Sequence, residues 1–297
     1  MTNTALAGAS APAAVAGGIT EPGIYDMTAE EYHADRVSLS SSGARRLLPP
    51  TGCPALFRHE QDNPAEPKKT FDLGHAAHRL VLGDGPDLVR IDADEWRSKA
   101  VKEEVAAVRA EGGVPLKPAE YEQVHAMADA LRQHPVAAVL FDPARGRPEQ
   151  SLFWRDRPTG VMRRARFDWL PDARSGRLII PDYKTCRSAA PSALAKAVEE
   201  YGYHQQADWY RSGAKALGLA DDSAAFVFVC QEKTAPHLVS VVELDAAAMR
   251  IGAARNRRAL DIYAECTATG RWPGYSDELA YLSLPAWAEI RDTEEYL

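Results

Sequence analysis

The sequence predicts an α/β fold in which a central mixed β-sheet is flanked by helices and preceded by an N-terminal helical extension. Two observations support this prediction. Residues 21–135 read mainly as capped amphipathic helices, whereas residues 149–272 open with short β-rich segments and continue as alternating helices and strands. With 297 residues, 45% of them hydrophobic, the chain can bury a large core, and we expect residues 21–297 to form a single domain.

The first part of the chain carries the helix signals. Thr28 and Glu31 have the spacing of a capping box. A second helix is expected after Ser40, and Pro49 and Pro50 would end it. Longer helices are predicted over residues 71–82, 94–110 and 118–133.

The second part of the chain begins with three β-rich segments, which we predict to form an antiparallel meander. They span residues 151–154, 160–170 and 177–184 and are separated by Gly-containing turns. Helices over 191–201 and 203–217, strands over 225–230 and 238–244, and a long helix over 245–269 complete the prediction. The segment 149–272 is therefore expected to be the catalytic core.

Positive charge is concentrated in the predicted strands. The chain has a net charge of −7, yet residues 155–187 contain nine cations and four acids. Such a distribution suits a protein that admits a polyanion to one cleft while the rest of its surface repels it. The alternative is a strand pair whose arginines neutralise neighbouring acids, and charge counting does not separate the two.

The cysteines and the N-terminal residues indicate which metal sites and which cellular location to expect. Cys53, Cys186, Cys230 and Cys266 lie far apart and lack the close spacing of zinc or iron–sulfur sites, so no such cluster is expected. Residues 1–20 contain no Lys or Arg and no apolar run long enough for a signal peptide or a membrane span. We interpret them as a disordered tail of a cytoplasmic protein that does not enter a membrane.

A catalytic pattern lies at the end of the third β-rich segment. Asp182 and Lys184 project to the same side of this strand, since side chains alternate along a strand. Asp168 lies on the preceding strand, together with Arg164 and Arg166 on the same face. Paired carboxylates can hold Mg²⁺, which leaves coordination positions for water and phosphate. The pattern indicates metal-dependent phosphodiester cleavage; the alternative is an ordinary exposed edge strand.

Together with three other motifs, this pattern resembles the PD-(D/E)XK nucleases, and most of all the nuclease domain of exodeoxyribonuclease VIII, the RecE type of phage and prophage recombination systems. The motifs occur in family order from about residue 23 to residue 273. They are Gly74-x-x-x-His78, Glu149-x-Ser151, Arg164-x-Arg166-x-Asp168, Asp182-Tyr183-Lys184 and Tyr203-His204-Gln205-Gln206. The resemblance implies a restriction-endonuclease-like core.

The resemblance also implies roles for individual residues. Asp168 and Asp182 would be ligands of a catalytic Mg²⁺, which Mn²⁺ could replace, and the backbone carbonyl of Tyr183 would be a third ligand. Lys184 would contact the attacking water. Because neighbouring carboxylates favour its charged form, we interpret Lys184 as a charge stabiliser that orients water and not as a general base.

A second metal position is implied by His78 and Glu149. In related exonucleases a histidine lies on a helix over the metals, and a strand-edge glutamate binds the second ion. For Glu149 a solvated turn residue is an equally supported reading, and His75 is interpreted as structural.

The helix after the third strand supplies the last candidates. Tyr203, Gln206 and Tyr210 fall on one helical face, which is also typical of a half-buried amphipathic stripe. By resemblance Gln206 helps to hold the lysine or the substrate phosphate, with Gln205 as the alternative register. The predicted DNA contacts are Arg164, Arg166 and Tyr203.

The resemblance implies a Mg²⁺-dependent 5′→3′ exonuclease that acts on ends of linear double-stranded DNA and leaves 3′ tails. It further implies a ring-shaped homo-oligomer, a single-strand annealing protein as partner, and the cytoplasm of a bacterial host. A nuclease of the Cas4 or helicase-attached type, acting on single strands, is disfavoured because late clustered cysteines are missing. The alternative from another class is a non-catalytic module that binds DNA ends.

Overall fold

The computed structural model describes residues 18–64, 73–83, 85–172 and 176–297. Most of the predicted N-terminal tail, the side chain of His75 and part of the turn after residue 171 lie outside the described residues.

Eleven helices occur in the described residues. Eight of them correspond to predicted helices, whereas those over residues 54–62, 137–140 and 286–296 were not predicted. The eleven helices are α1 (Ala29–Ala34), α2 (Ser41–Arg46), α3 (Pro54–Asp62), α4 (Leu73–Leu82), α5 (Lys99–Ala110), α6 (Pro118–Gln133), α7 (Ala137–Leu140), α8 (Pro191–Glu200), α9 (Tyr203–Ala216), α10 (Ala246–Thr269) and α11 (Ala286–Tyr296). The capping box of Thr28 and Glu31 is confirmed. The predicted helix over 94–110 begins only at residue 99, because Ser98 caps it by accepting a bond from Val101 N.

Nine strands form three sheets in the described part of the chain. The strands are β1 (Gly23–Tyr25), β2 (Leu39–Ser40), β3 (Leu88–Arg90), β4 (Val114–Leu116), β5 (Gly146–Arg155), β6 (Met162–Pro171), β7 (Ile179–Cys186), β8 (Ala225–Glu232) and β9 (Val239–Glu243). One sheet has the order β1-β5-β6-β2, another has the order β7-β8-β9, and β3 pairs with β4. Parallel and antiparallel pairs occur in both larger sheets, so the predicted mixed α/β class is confirmed.

The predicted antiparallel meander is wrong in its third strand. Strands β5 and β6 pair antiparallel as expected, but β7 pairs in parallel with β8. The edge of β6 is taken by β2 at Arg163 and Arg164. Further along β6, Tyr183 N donates to the side chain of Asp168 at 2.8 Å instead of to a backbone carbonyl. At this point the two larger sheets are therefore joined by a bond from a backbone N–H to a carboxylate, and the same point carries the catalytic pattern.

One apolar core joins these two sheets to α9 and α10. Trp154 of β5, Phe167 of β6 and Phe228 of β8 are all buried in it. Helix α10 lies so close to α9 that a Cβ on Gly252 would be 2.1 Å from the carbonyl oxygen of His204, so this position requires glycine. Because α9 is held from both sides, the side chains it presents to the sheets are fixed in place.

The segment after α10 has a different character. Leu279, Tyr281 and Trp287 are among its exposed large apolar side chains, and Tyr281 is 96% exposed. Among the described residues, no helix combines the length and apolar character needed to cross a membrane.

Candidate functional site

A polar cleft of about 650 Å³ opens where β6 and β7 meet. Helices α1, α2, α4 and α9 contribute to its walls. Its lining includes His78, Glu149, Arg166, Asp168, Lys184, Tyr203 and Gln206. Residues that are more than 120 positions apart in the chain thus share one cavity.

Asp182 and Lys184 form a buried ion pair beside this cleft. Asp182 is only 1% exposed, and its Oδ2 lies 2.6 Å from Lys184 Nζ. Gln206 Nε2 donates to Asp182 Oδ1 at 2.7 Å. Burial and the negative charge of Asp168 raise the pKa of Asp182 above its usual value. Burial disfavours the charge on Lys184, but Asp182 and Asp168 outweigh it and raise the pKa of the ammonium, which is therefore protonated at neutral pH.

His78 bridges the other two acids. Its Nε2 lies 3.2 Å from Asp168 Oδ2 and its Nδ1 lies 3.4 Å from Glu149 Oε1. Burial lowers the pKa of His78, yet the bond to Asp168 and the two acids reverse this and raise it. Burial likewise raises the pKa of Asp168, but the contacts with His78, Lys184 and Tyr183 N lower it overall. Helix α4 thus brings the predicted histidine to the predicted carboxylates.

Glu149 has an unusual backbone. Its φ is +52°, in the left-handed region that a side chain with a Cβ rarely adopts. The ladder pairs Pro148 with Trp169 and Gln150 with Phe167, so Glu149 lies opposite Asp168 where that pairing is interrupted. Burial raises the pKa of Glu149. Strain of this kind clusters at functional sites, and here it aims a second carboxylate at His78.

Arg164 lies in a different environment from the predicted one. It is buried, and its Nη1 donates to Asp35 O and Oδ1 at 2.7 and 2.9 Å and to Ser38 O and Oγ at 2.9 and 3.1 Å. These contacts fasten the loop before β2 to β6. Arg164 also borders the cleft. Because it is only 6% exposed and its Nη1 is bonded inside the protein, its role in fastening the loop is the one that the structure shows, and its contact with a DNA phosphate stays a prediction.

Arg166 is also held internally, although it borders the cleft. Its Nε lies 2.5 Å from Glu149 Oε2, and its Nη1 donates to Met27 O and Ser151 Oγ. Arg166 therefore positions Glu149. Each arginine of β6 thus lies beside an acid of the protein, as the alternative interpretation of the concentrated positive charge proposed.

Helix α9 separates the two glutamine candidates. Gln206 reaches Asp182, whereas Gln205 is fully buried on the far side, where its Oε1 accepts from Arg255 Nε at 2.9 Å. Tyr203 stacks on Phe228 with ring centroids 4.8 Å apart, and Lys184 Nζ lies 5.9 Å from its centroid. Gln206, the preferred candidate, is therefore the glutamine that reaches the cleft, and Gln205, the alternative, is not.

Arg45 and Tyr201 are among the cleft residues that sequence reasoning did not identify. Arg45 of α2 lines the cleft and donates from Nη1 to the carbonyl of Tyr201, which lines it as well. Arg45 is more than 100 positions from the strand motifs, and its sequence neighbourhood reads as an ordinary helix start. No local signal marks either residue.

The oxygen donors of the cleft suit a hard divalent cation. Asp168 and Asp182 are two neighbouring carboxylates, and Asp182 Oδ2 is buried without a hydrogen-bonding partner apart from its ion pair with Lys184. No group of three His, Cys, Asp or Glu side chains is arranged to hold a metal ion within the described ranges. Mg²⁺ commonly takes only one or two protein carboxylates and completes its shell with water and phosphate. The residues fit such a partial shell, with the Tyr183 carbonyl as the predicted further ligand.

Comparison with solved structures shows the same fold elsewhere. The crystal structure of a protein from Eubacterium rectale, described as a "putative exonuclease", matches with a TM-score of 0.58 and 11% sequence identity. The match covers 90% of this chain and 98% of that one. A search of curated proteins finds no match. A family model matches residues 40–285, and the chain therefore belongs to the family described as a PDDEXK-like domain of unknown function (DUF3799).

Proposed function

We propose that this protein is a metal-dependent DNA exonuclease that acts 5′→3′ on ends of linear double-stranded DNA. The observation that carries the proposal is the convergence of Asp168, Asp182 and Lys184 where the two sheets meet. Nucleases of the PDDEXK type generally use divalent metal ions, and the structural neighbour described as an exonuclease supports the choice of reaction. The resulting 3′ tail would suit recombination with a single-strand annealing protein.

Asp168 and Asp182 would hold Mg²⁺ or Mn²⁺. When bound, the ion would lower the pKa of a water ligand and neutralise charge on the phosphate. The two neighbouring acids explain the choice of a cation, because the charge of Asp168 disfavours ionisation of Asp182 and a bound metal ion would offset this effect.

Lys184 contributes a positive charge that does not depend on pH near neutrality. Held by Asp182, its ammonium can donate to the attacking water or to a phosphate oxygen as negative charge develops there. Gln206 holds the other oxygen of Asp182, so the carboxylate cannot rotate freely. His78 fixes Asp168 and Glu149 in the same way.

The test is digestion of linear duplex DNA labelled separately at its 5′ and 3′ ends. We expect progressive release of 5′ label with Mg²⁺, no release without metal, and loss of release in Lys184→Ala. A closed circular duplex of the same sequence is the control without ends. Release of 3′ label first, or cutting only of single strands, would contradict the polarity or substrate. Binding of ends without cleavage under any divalent metal would favour the non-catalytic module.

A further inference from the structure

A second cavity adjoins the cleft and is larger, at about 940 Å³. It lies between the end of β7 and helix α8, and we call it the α8 groove. Tyr201 and Tyr203 line both cavities, so the two are continuous across these rings. The groove starts directly after the end of the catalytic motif, at Thr185 and Cys186.

The charges of the α8 groove suit an anion. Its lining contains Arg187, Lys196 and Lys233 and a single acid, Glu200. Arg187 and Lys196 are exposed, and within the described residues neither has a hydrogen bond or ion pair in the protein. This contrasts with Arg164, whose guanidinium is bonded to protein groups.

The aromatic boundary of the groove is exposed and held in place. Tyr201 is 50% exposed, and its ring centroid lies 5.7 Å from that of Tyr203. Arg45 Nη1 donates to the Tyr201 carbonyl, and the chain turns directly after it at Gly202, where φ is +66°. A Cβ at Gly202 would lie 2.6 Å from Arg45 Cδ, so this turn is closely packed. An exposed ring fixed in this way can receive an unpaired base, because every base has a π-face.

We propose that the α8 groove binds a single-stranded segment of the DNA substrate next to the scissile phosphate. A base stacks on Tyr201, and the phosphates that follow lie at Arg187 and Lys196. The volume suits about two nucleotides, since pockets of several hundred Å³ hold ligands of that size. The inference rests on the proposed function for its ligand, but it concerns a separate set of side chains. Binding is expected to be independent of sequence, as the described lining offers stacking and charge.

The test measures binding of fluorescently labelled twelve-residue oligothymidylate by anisotropy, with Ca²⁺ present and the full chain carrying Lys184→Ala to prevent cleavage. Adding Tyr201→Ala should weaken binding about tenfold, since stacking contributes 1–3 kcal/mol per base. Adding Arg187→Ala should reduce the slope of log affinity against log salt by about 0.7. The matched controls are Tyr281→Ala and Arg157→Ala, which remove an exposed tyrosine and an exposed arginine outside the groove.

The outcomes separate this inference from the proposed function. Normal binding by both groove variants, or equal loss in the controls, would overturn the α8 groove as a strand site even if the parent chain degrades DNA. Selective loss in the groove variants would support it even if the parent chain cuts nothing, in which case only the nuclease proposal fails. Urea unfolding midpoints equal to that of Lys184→Ala would show that the variants are folded, as expected for exposed positions.

Discussion

Strand β6 carries charged side chains on both faces, and the two faces differ in how the charges are compensated. On the core side, Arg163 lies 3.9 Å from the ring centroid of Trp209 and 4.8 Å from that of Trp154, with Asp156 at 4.0 Å. On the cleft side, Asp168 lies beside a second acid, Asp182; His78 pairs with Asp168, and Lys184 pairs with Asp182. Burial lowers the pKa of Arg163 to about 10, so it is still charged at neutral pH.

The comparison distinguishes structural from functional burial of charge. Arg163 is surrounded by rings and acids that favour its charge, so removing it should weaken the fold. The charge of Asp168 disfavours ionisation of Asp182, and a divalent cation bound by both acids would offset this effect. Variants on the core face should therefore lose stability, whereas variants on the cleft face should lose activity.

The largest effect is expected for Lys184→Met. DNA hydrolysis should fall by about 100- to 1,000-fold, as when one preorganised electrostatic group is removed from an active site. Initial rates on linear DNA measure this, and circular dichroism should show an unchanged fold. The control Lys102→Met removes an exposed lysine from α5 and should retain full activity. Comparable rates in both variants would break the assignment of the cleft side as catalytic.

On the opposite face, Arg163→Ala should destabilise the protein by about 3 kcal/mol, as expected when one partner is removed from a buried charge cluster. Urea unfolding measures the free energy. The rate per folded molecule should match that of the parent, in contrast to Lys184→Met. Arg157→Ala, at an exposed site, should leave stability unchanged. A loss of unfolding free energy below about 1 kcal/mol for Arg163→Ala would show that the charge contributes little to the stability of this cluster.

Adjacent glutamines on α9 give the same comparison with matched chemistry. Gln206→Ala frees Asp182 and should lower the rate by about 10-fold, the effect typical of groups that orient metal ligands. Gln205→Ala removes the partner of Arg255 Nε and of Asn256 Oδ1 and should cost about 2 kcal/mol of stability with little change in rate. Steady-state kinetics and urea unfolding of both variants decide the matter; exchanged effects would place Gln205 at the site.

The strain at Glu149 can be isolated by comparing two variants that both remove the carboxylate. Glu149→Gly should be more stable than Glu149→Ala by about 1 kcal/mol, because only alanine retains a Cβ at positive φ. Both should lose activity if the carboxylate binds a metal. Equal unfolding free energies would show that the backbone relaxes when the side chain is removed.

The smallest effect concerns Asp156 and pH. Burial raises the pKa of Asp156, but bonds from Thr159 and Arg257 outweigh it and lower the pKa below the unfolded value. The ionised form therefore stabilises the fold above about pH 4, and this contribution is lost as pH falls through the folded pKa. Asp156→Asn should be less stable than the parent at pH 7, and the gap between their urea midpoints should narrow progressively as the pH falls below about 4.

Sequence reasoning succeeded where the signal was local. The period of two on β6 and β7 brought Asp168, Asp182 and Lys184 together, and family order identified His78 at their side. The family model confirms the PD-(D/E)XK resemblance, whereas the RecE type, the ring and the annealing partner stay predictions. Sequence reasoning missed the internal partners of Arg164, because Asp35 and Ser38 come from a distant loop.

By itself, the sequence determined the α/β class, most of the longer elements and the candidate carboxylates with their lysine, because strand alternation and helix capping act over a few residues. Only the tertiary structure decided that β7 pairs with β8, that Gln206 and not Gln205 reaches the cleft, and that Glu149 turns towards His78. It also decided that Arg45 and Tyr201 border the cleft. These features depend on which residues from distant parts of the sequence pack against each strand edge and helix face, and a local sequence pattern does not contain that information.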